Sequence, residues 1–525
     1  MRSRRTPSHA SLAAPIVLIA AFAALPAEAQ REIRFESAGT PEAGTLVLPV
    51  PEVAEGGTRD GAFARIDAGS QGALTRAVTA AGFSGKVDSQ LDLPGIAGYD
   101  RVLLVGTGNG TPDARRIEDV GGRIGRFAAR SKAPRIDVVW EGSETGAAAR
   151  LAFGAALGEY RFDKYRTTQD VDTSRAGEGT LVVRSAEGAA AAQVWDGDLK
   201  AVAEGVAFAR DLVTEPANAI YPETFVERTR AAFAGKPNVS IEVLDVPAME
   251  RLGMGSILAV GQGSARPPRM MVVRYSGGAR GEAPVAFVGK GITFDTGGIS
   301  IKPGENMWRM KYDMTGAASA TGAVLALAGR GAAVNAVAAV ALAENMPSGT
   351  AARPGDVIRT AAGKTYEVIS TDAEGRMVLV DALWYVQRQD NPRVIVDIAT
   401  LTGAIVTALG NDYAGLFTRD DALAAQLAAA GEASGEPVWR MPMHPGYRKM
   451  LESPIADMRN GGGRPGSGTA AHFIGEWIDA GRAWAHLDIA GMAWRDGDEL
   501  STTPSGASAY GVRLFDRFVR DNYEQ

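Results

Sequence analysis

The chain has 525 residues, which is too long for one ordinary hydrophobic core, so we expect at least two domains. Apolar residues make up 46% and charged residues 22%, a balance that is typical of globular proteins and excludes a fibrous or largely disordered chain. The formal charge of −6 disfavours a general nucleic-acid binder, and the absence of cysteine excludes disulfides, thiolate zinc sites and cysteine nucleophiles.

The first residues have the pattern of a secretory signal peptide. Three arginines precede an apolar run from Leu12 to Leu25, and the small residues Ala27 and Ala29 suit cleavage after Ala29. This run is shorter than the ~20 apolar residues of a membrane span. We therefore expect a periplasmic or secreted mature protein without a membrane partner; an uncleaved anchor is the alternative. Removing residues 1–29 takes away three arginines and one glutamate, so the formal charge becomes −8.

The segment after the leader favours an α/β domain. The pattern predicts strands at Thr45–Val50 and Arg101–Val105 and a helix at Ile117–Ala129. The run Gly106-Thr-Gly-Asn-Gly110 could cradle a phosphate, but its spacing is not the dinucleotide fingerprint, and a tight strand-to-helix turn is favoured. A last strand-like patch at Leu181–Val183 lies in a Gly- and Ala-rich stretch, where we place the end of this domain, which spans residues 30–190.

The second domain is predicted over residues 199–525. A helix at Leu199–Leu212 opens it, and strands then alternate with helices. The predicted strands are Met271–Tyr275, Val285–Val288, Val334–Leu342 and Val394–Ile398, and the predicted helices are Gly316–Ala328 and Met377–Arg388. Continuous apolar strands separated by helices indicate a mixed, largely parallel sheet covered by helices on both faces. The fold class is therefore α/β, with a smaller amino-terminal domain and a larger catalytic domain.

Histidine, the commonest zinc ligand, is scarce in this sequence. Apart from His9 in the leader, the chain has only His444, His472 and His486, and no two of them have the spacing of a helical metal pair. No Gly-x-Ser-x-Gly elbow is present either, which argues against a serine triad. We therefore predict that these histidines are structural.

Two glycine-flanked blocks instead collect acids and lysines. The first reads Val288-Gly-Lys290-Gly-Ile-Thr-Phe-Asp295-Thr-Gly-Gly-Ile-Ser-Ile-Lys302 and continues to Met310-Lys-Tyr-Asp313, and the second reads Ser370-Thr-Asp372-Ala-Glu374-Gly-Arg376. One Asp-x-Glu pair occurs by chance among 61 acids, but four acids and two lysines in apolar surroundings would be costly to bury unless they neutralised cations. Two divalent ions ~3.5–4 Å apart would activate a bridging water for hydrolysis of a peptide or a phosphoester.

Together these blocks resemble the leucyl aminopeptidase family of two-metal exopeptidases. The resemblance extends from about Leu199 to the C-terminus and includes Asp457-Met-Arg-Asn-Gly and His486-Leu-Asp-Ile-Ala-Gly. The amino-terminal half resembles the family only in length and α/β character. Ser370 stands where the family usually has asparagine and Met377 where leucine is common, and the export leader precedes an enzyme type that is usually cytosolic.

The resemblance implies an enzymatic activity, the metal ions that it requires and the residues that bind them. The activity is release of N-terminal residues, preferably leucine or other apolar ones, from peptides by attack of a metal-bridging hydroxide. Two divalent ions are implied, Zn or Mn with Mg or Co as alternatives, and the family forms homohexamers built as dimers of trimers. The implied metal ligands, with Lys290 as a neutral amine, are Lys290, Asp295, Asp313, Asp372 and Glu374.

The remaining implied roles concern catalysis and substrate binding. Lys302 is expected to steady the oxyanion of the tetrahedral intermediate and to contact substrate. Arg376 is expected to hold a bicarbonate ion together with the backbone of Leu401. The positions implied to line the substrate pocket with Lys302 are Met310, which fits equally well as core, Thr400 and Gly403.

Other functions fit the same residues. A dipeptidase acting on cysteinylglycine, or a phosphoesterase, would use the same two-metal chemistry. A non-catalytic binding scaffold is a further alternative, although Lys302 and Arg376 argue against it because a scaffold needs no groups aimed at a transition state. Nucleic-acid binding is disfavoured by export and by the acidic charge balance.

Overall fold

The computed structural model describes residues 31–54, 56–168, 178–497 and 500–524. The predicted signal peptide and its cleavage site after Ala29 lie outside these residues. Among the described helices, none is both long enough and apolar enough to cross a membrane.

The first part of the chain forms a six-stranded sheet in the order β1-β6-β5-β2-β4-β3. All neighbours pair in parallel except β3 and β4. Its strands are β1 (Glu32–Ser37), β2 (Thr45–Pro51), β3 (Gln90–Ile96), β4 (Tyr99–Gly108), β5 (Arg135–Val139) and β6 (Thr180–Ser185). The helices of this part are α1 (Gly61–Gly69), α2 (Ala73–Ala81), α3 (Ala114–Ala128) and α4 (Ala147–Glu159). The strands and the helix predicted here are confirmed within a few residues.

A long helical segment leads out of this first sheet. It consists of α5 (Gly188–Val194), a π turn at Trp195–Leu199 and α6 (Lys200–Thr214). The chain then continues with α7 (Pro222–Ala232), so no strand of the first sheet lies beyond Ser185 among the described residues.

The second sheet has eight strands in the order β15-β14-β17-β13-β9-β10-β8-β7. Its strands are β7 (Val239–Leu244), β8 (Arg269–Ser276), β9 (Val285–Asp295), β10 (Asn335–Asn345), β13 (Val394–Ala399), β14 (Ala414–Thr418), β15 (Val438–Arg440) and β17 (Trp484–Asp488). The central block β17-β13-β9-β10 is parallel, and antiparallel pairs flank it. The predicted mixed, largely parallel sheet is confirmed.

Short strands and helices complete this part of the chain. The short strands are β11 (Val357–Arg359), β12 (Thr365–Glu367), β16 (Met458–Arg459), β18 (Trp494–Arg495) and β19 (Gly506–Ala507). The helices are α8 (Val246–Arg251), α9 (Gly255–Gly261), α10 (Thr315–Gly329), α11 (Glu374–Gln389), α12 (Gly403–Leu409), α13 (Asp421–Ser434), α14 (Pro445–Lys449), α15 (Gly466–Gly475) and α16 (Val512–Asn522).

Helices cover both faces of the eight-stranded sheet because its central strands are apolar on both faces. In β9, Val285 and Phe287 pack into one core with α6, α10 and α16, whereas Ala286 and Val288 pack into the other with α9 and α11. Phe287 stacks on Phe515 of α16 with 4.2 Å between ring centroids. Fully burying such a side chain contributes roughly 1.5–3 kcal/mol, so the sheet is fixed firmly under the loops at its carboxyl edge.

Candidate metal centre

The predicted site begins inside β9 and not after it. Sequence analysis ended this strand at Val288, but β9 continues to Asp295, and Lys290 lies within it, paired with Ala341 of β10. Pairing with β13 stops at Gly289, which opens one side of the strand just before the lysine. The lysine therefore projects from a rigid strand, and Asp295 marks that strand's carboxyl end.

The other predicted ligands come from three further places in the chain. Asp313 lies in a 3₁₀ helix, Met307–Met314, directly before α10. Asp372 lies in the turn before α11, and Glu374 is the first residue of that helix, which begins three residues before the predicted start at Met377. The predicted helix was short at its start because Glu374 and the flexible Gly375 do not have the apolar spacing that marks the rest of α11.

The structure brings all five predicted ligands into one cluster. Asp295, Asp372 and Glu374 each offer a carboxylate oxygen, and these atoms lie within 4.8 Å of one another. Lys290 Nζ lies 2.8 Å from Asp313 Oδ2 and 2.8 Å from Glu374 Oε1. These contacts join residues up to 84 positions apart in sequence, a separation that a local motif cannot specify.

Burial gives the carboxylates of this cluster unusual proton affinity. Asp313 and Glu374 are buried, and desolvation raises the pKa of both carboxyl groups above their ordinary values. Asp372 is more exposed, but desolvation and the nearby charge of Asp295 raise its pKa as well. Desolvation opposes the charged form of Lys290, yet the carboxylates of Asp313 and Glu374 outweigh it and raise the pKa of the amine.

These observations fit a divalent-cation site. Glu374 Oε2 is buried and has no hydrogen-bond partner among the described residues, so one ligand lone pair remains unused in a dry environment. A cation would satisfy that oxygen and stabilise the charged forms of all the acids. The raised pKa of Lys290 runs opposite to the neutral amine that a metal ligand requires, so cation binding would have to replace its proton as the neutralising charge.

Lys302 lies at the edge of the same cluster. Its Nζ is 2.8 Å from Asp295 Oδ2 and also forms an ion pair with Asp372. Its side chain keeps 22% of its surface exposed, unlike Lys290 with 3%, so Lys302 faces the open side of the site. This position agrees with a group that reaches a substrate rather than one enclosed among ligands.

The predicted substrate loop after β13 contacts the cluster directly. Lys290 Nζ donates to the carbonyl oxygen of Thr400 at 2.7 Å, and Thr400 Oγ1 donates to Asp313 Oδ1 at 2.7 Å. Gly403 is exposed at the first position of α12, and Met310 is half-buried in the 3₁₀ helix that carries Asp313. The hydroxyl of Thr400 is thus hydrogen-bonded to the acid cluster, whereas Gly403 borders open space, since a Cβ there would meet nothing within 4 Å.

Arg376 lies next to the cluster as the third residue of α11. Its Nη1 donates to the carbonyl of Asn460 at 2.8 Å, whereas its buried Nε has no partner among the described residues. Burial lowers the pKa of this guanidinium to about 10, against the favourable charges of Glu374 and Asp488. A buried cation with a spare donor near a helix start is suited to an anion.

Two neighbouring residues were missed by sequence analysis. Asn345 ends β10 opposite Asp295, and its Nδ2 donates to Asp295 Oδ1 at 2.8 Å. Asp488 accepts from the backbone N–H of Leu401 at 3.1 Å, so the amide expected at the bicarbonate already has a partner. Asn345 and Asp488 both end strands of the parallel block, which is the signal that would have found them.

The site therefore defines a divalent-cation hydrolase centre at the carboxyl edge of a parallel sheet. The catalytic-domain model of the cytosol aminopeptidase family matches residues 207–515, and the family's N-terminal-domain model matches residues 47–169. The chain belongs to the cytosol aminopeptidase family and is a metal-dependent aminopeptidase. The amino-terminal half was expected to resemble the family only in length and α/β character. The match to the family's N-terminal-domain model shows that its sequence resembles the family as well.

Relatives and solved structures agree with this assignment over most of the chain. The chain is 46% identical over 459 residues to a probable cytosol aminopeptidase of Caulobacter vibrioides, covering 86% of this chain and 92% of the relative. A probable cytosol aminopeptidase of Rhodopseudomonas palustris is 45% identical over 505 residues, covering 94% and 98%.

Two solved structures share the two-domain architecture. A mutant of tomato leucine aminopeptidase has a TM-score of 0.83 and 31% identity, covering 94% of this chain and 97% of the other. The bottromycin maturation enzyme BotP in complex with Mn has a TM-score of 0.78 and 33% identity, covering 91% and 99%.

Proposed function

We propose that this aminopeptidase releases leucine or other apolar residues from the N-termini of peptides and binds two divalent cations. The residues that would hold the cations are Lys290, Asp295, Asp313, Asp372 and Glu374. The observation that carries this proposal is the convergence of three carboxylates within 4.8 Å, enclosed by two lysines. Such a set of acids would be unfavourable in a buried site that had no cationic ligand.

The chain's own residues would divide the remaining work. Two divalent cations, when bound, would supply the Lewis acidity that activates water and polarises the scissile carbonyl. Lys302, at the open side, would donate from Nζ to the oxygen on which negative charge develops. The carbonyl of Thr400 holds Lys290 in place, and Arg376 would hold an anion beside the site, for which bicarbonate is our proposal.

The identity of the cations follows from the donor set. Carboxylate oxygens with one amine nitrogen suit Zn, Mn, Mg or Co, and we propose Zn or Mn. Support for Mn comes from the similar BotP structure, which was solved in complex with that ion.

We also propose an exported homohexamer, built as a dimer of trimers, with domains at residues 30–190 and 199–525. Export is supported by the arginine-rich start and the apolar run of the first 29 residues. The hexamer is supported by the family resemblance. The domain division is supported by the separation of the two sheets, whose strands span residues 32–185 and 239–488.

Hydrolysis of leucine p-nitroanilide by the mature protein, from Gln30 onward, tests the activity. We expect turnover that is lost on chelation and restored by Mn or Zn, and that falls sharply in Lys302→Ala and Asp372→Ala. Asp479→Ala is the matched control, because the carboxylate of Asp479 forms an exposed ion pair with Arg388 and does not contact the metal-centre residues within the described part of the chain. Variants at Lys302 and Asp372 as fast as wild type would refute the proposal. Dipeptide or phosphoester turnover in place of the anilide would favour the alternative hydrolases.

A further inference from the structure

The six-stranded sheet has a crevice of its own, remote in sequence from the metal centre. Strand β2 pairs in parallel with β4 on one side and with β5 on the other, so the strand order reverses at β2. In open α/β sheets, ligands bind outside the carboxyl ends of the strands where the strand order reverses in this way. The loops after β2, β4 and β5 enclose a cavity of about 640 Å³ at this point.

Polar atoms without partners surround this cavity. Trp140, which directly follows β5, is 95% buried, yet its Nε1 has no hydrogen-bond partner among the described residues. The same holds for the buried atoms Arg59 Nε and Glu144 Oε2, and all three residues line the cavity. Ordered water or the polar groups of a ligand in the cavity would satisfy such atoms.

Two carboxylates in the crevice are available for such a ligand. Asp60 is the residue before α1, but its side chain caps no backbone amide, because Glu141 Oε2 accepts from Ala62 N at 2.6 Å instead. A side chain at Gly61 would collide with that carboxylate at 2.1 Å, so the glycine preserves this arrangement. Glu141 is also paired with Arg65, whereas Asp60 and Glu144 have no ion-pair partner among the described residues.

The crevice also offers one cationic group and apolar walls. Arg59 donates from Nη2 to the carbonyl of Phe83 at 3.1 Å and forms no ion pair within the described part of the chain. Gly110 and Thr111, after β4, face the same space, and a Cβ at Gly110 would meet nothing within 4 Å. Apolar surface comes from Val53 and neighbouring prolines, which also line the cavity.

From these groups we infer that the crevice binds a free amino acid or a short peptide as a zwitterion, at a site separate from the metal centre. Asp60 and Glu144 would receive the ammonium group, and Arg59 with the Thr111 hydroxyl would receive the carboxylate. Val53 would contact the apolar side chain. This inference rests on the crevice residues alone and does not depend on the chemistry proposed for the metal centre.

The charges disfavour a phosphate ligand at the same place. The Gly106–Gly110 run leads from β4 towards α3, as a phosphate cradle would. However, two unpaired acids against one arginine would repel a phosphate, whereas an ammonium group would be attracted to them. Within the run, Gly106 and Gly108 are explained by close packing, since a Cβ there would lie 2.1 Å from the carbonyl oxygen of Lys86 and 2.3 Å from Val87 Cγ2, whereas Gly110 leaves open space for a small zwitterion.

Equilibrium dialysis of the metal-loaded enzyme with radiolabelled L-leucine tests the inference, because sites can be counted per chain. We expect two sites in wild type; in Glu144→Gln and in Arg59→Gln, affinity at the crevice should fall at least tenfold, so that one site is counted at the leucine concentration that fills both sites in wild type. Asp100→Asn, an exposed acid at the opposite edge of the same sheet, is the matched control and should keep both sites. Anilide turnover should be unchanged in all three variants.

Three outcomes would overturn the inference. The first is unchanged stoichiometry and affinity in both Glu144→Gln and Arg59→Gln. The second is complete loss of leucine binding in Asp372→Asn, which leaves the crevice intact. The third is saturable binding of inorganic phosphate that Arg59→Gln abolishes, which would assign the crevice to anions. Failure of the metal-centre proposal would look different, because leucine binding would then be confined to the crevice and lost in Glu144→Gln.

Discussion

Asp488 is the residue whose removal should separate the substrate loop from the sheet below it. This fully buried carboxylate accepts from the backbone N–H of Leu401 at 3.1 Å, from that of Thr402 at 3.3 Å and from Thr402 Oγ1 at 2.6 Å. A fourth donor is the N–H of Ala490 at 3.3 Å. The loop it holds begins at Thr400, which contacts both Lys290 and Asp313.

The size of the effect of Asp488→Ala follows from these four bonds. Each buried donor left without a partner costs about 1–3 kcal/mol, although water entering the vacated space would recover part of that cost. Burial raises the pKa of Asp488, so removing the charged group returns some desolvation free energy. We therefore expect a net loss of about 3 kcal/mol in the free energy of unfolding. Asp488→Asn, which keeps one acceptor oxygen, should lose less.

Urea unfolding and anilide kinetics together measure this prediction. Because the loop positions groups around the metal centre, kcat/KM of Asp488→Ala should fall at least about tenfold, with partial recovery in Asp488→Asn. Asp479→Ala serves as control, and its surface position predicts a change within about 0.5 kcal/mol. Wild-type stability and kinetics in Asp488→Ala would refute the view that this carboxylate holds the loop.

Three further predictions concern single substitutions. Lys302→Ala should lower kcat by roughly 10²–10³ with little change in KM for leucine p-nitroanilide, because its ammonium acts on developing charge; a change in KM alone would contradict this. Gly375→Ala should weaken metal binding in a titration, since a Cβ there would lie 2.7 Å from Lys290 Nζ. Gly349→Ala is the control and should bind metal as wild type does, because a Cβ at Gly349 meets nothing within 4 Å. Burial raises the pKa of Glu159 from 4.5 to about 7, so between these pH values the folded protein still binds a proton that the unfolded chain has released. The folded state therefore loses stability as pH rises through this range. Glu159→Gln should therefore gain about 3 kcal/mol relative to wild type between pH 5 and pH 8 in urea unfolding, and a constant difference would be inconsistent with the raised pKa.

The sequence predicted the sheets well because their central strands are buried on both faces and read as continuous apolar runs. It predicted the end of β9 wrongly for a physical reason. Lys290 and the glycines on either side of it have the composition of a loop, yet β10 continues to pair with this segment as far as Asp295. Tertiary pairing thus overrides local composition there, as it does at the start of α11, where Glu374 and Gly375 are already helical.

The candidate site was predictable as a set of residues but not as an arrangement. The acids and lysines of the two blocks are visible in sequence, and the family resemblance assigns roles to them. The contacts of Asn345 and Asp488 were missed, because Asn345 ends a strand without a recognised motif and the motif that contains Asp488 carried no assigned role. The crevice of the first sheet was also invisible, since Arg59 and Glu144 are 85 positions apart and come to line one cavity through the parallel pairing of β2 and β5.

The glycines around Lys290 explain how this cluster is held in place. A Cβ at Gly289 would lie 2.5 Å from Ala317 Cα, and one at Gly316 would lie 2.1 Å from the carbonyl oxygen of Ile398. A Cβ at Gly375 would press on the amine of Lys290 itself. Three glycines from a strand and two helices therefore allow β9, α10 and α11 to approach closely around one side chain. The position of Lys290 is set as much by side chains that are absent as by the acids it contacts, and the local sequence does not show that Gly316 and Gly375 lie beside this lysine.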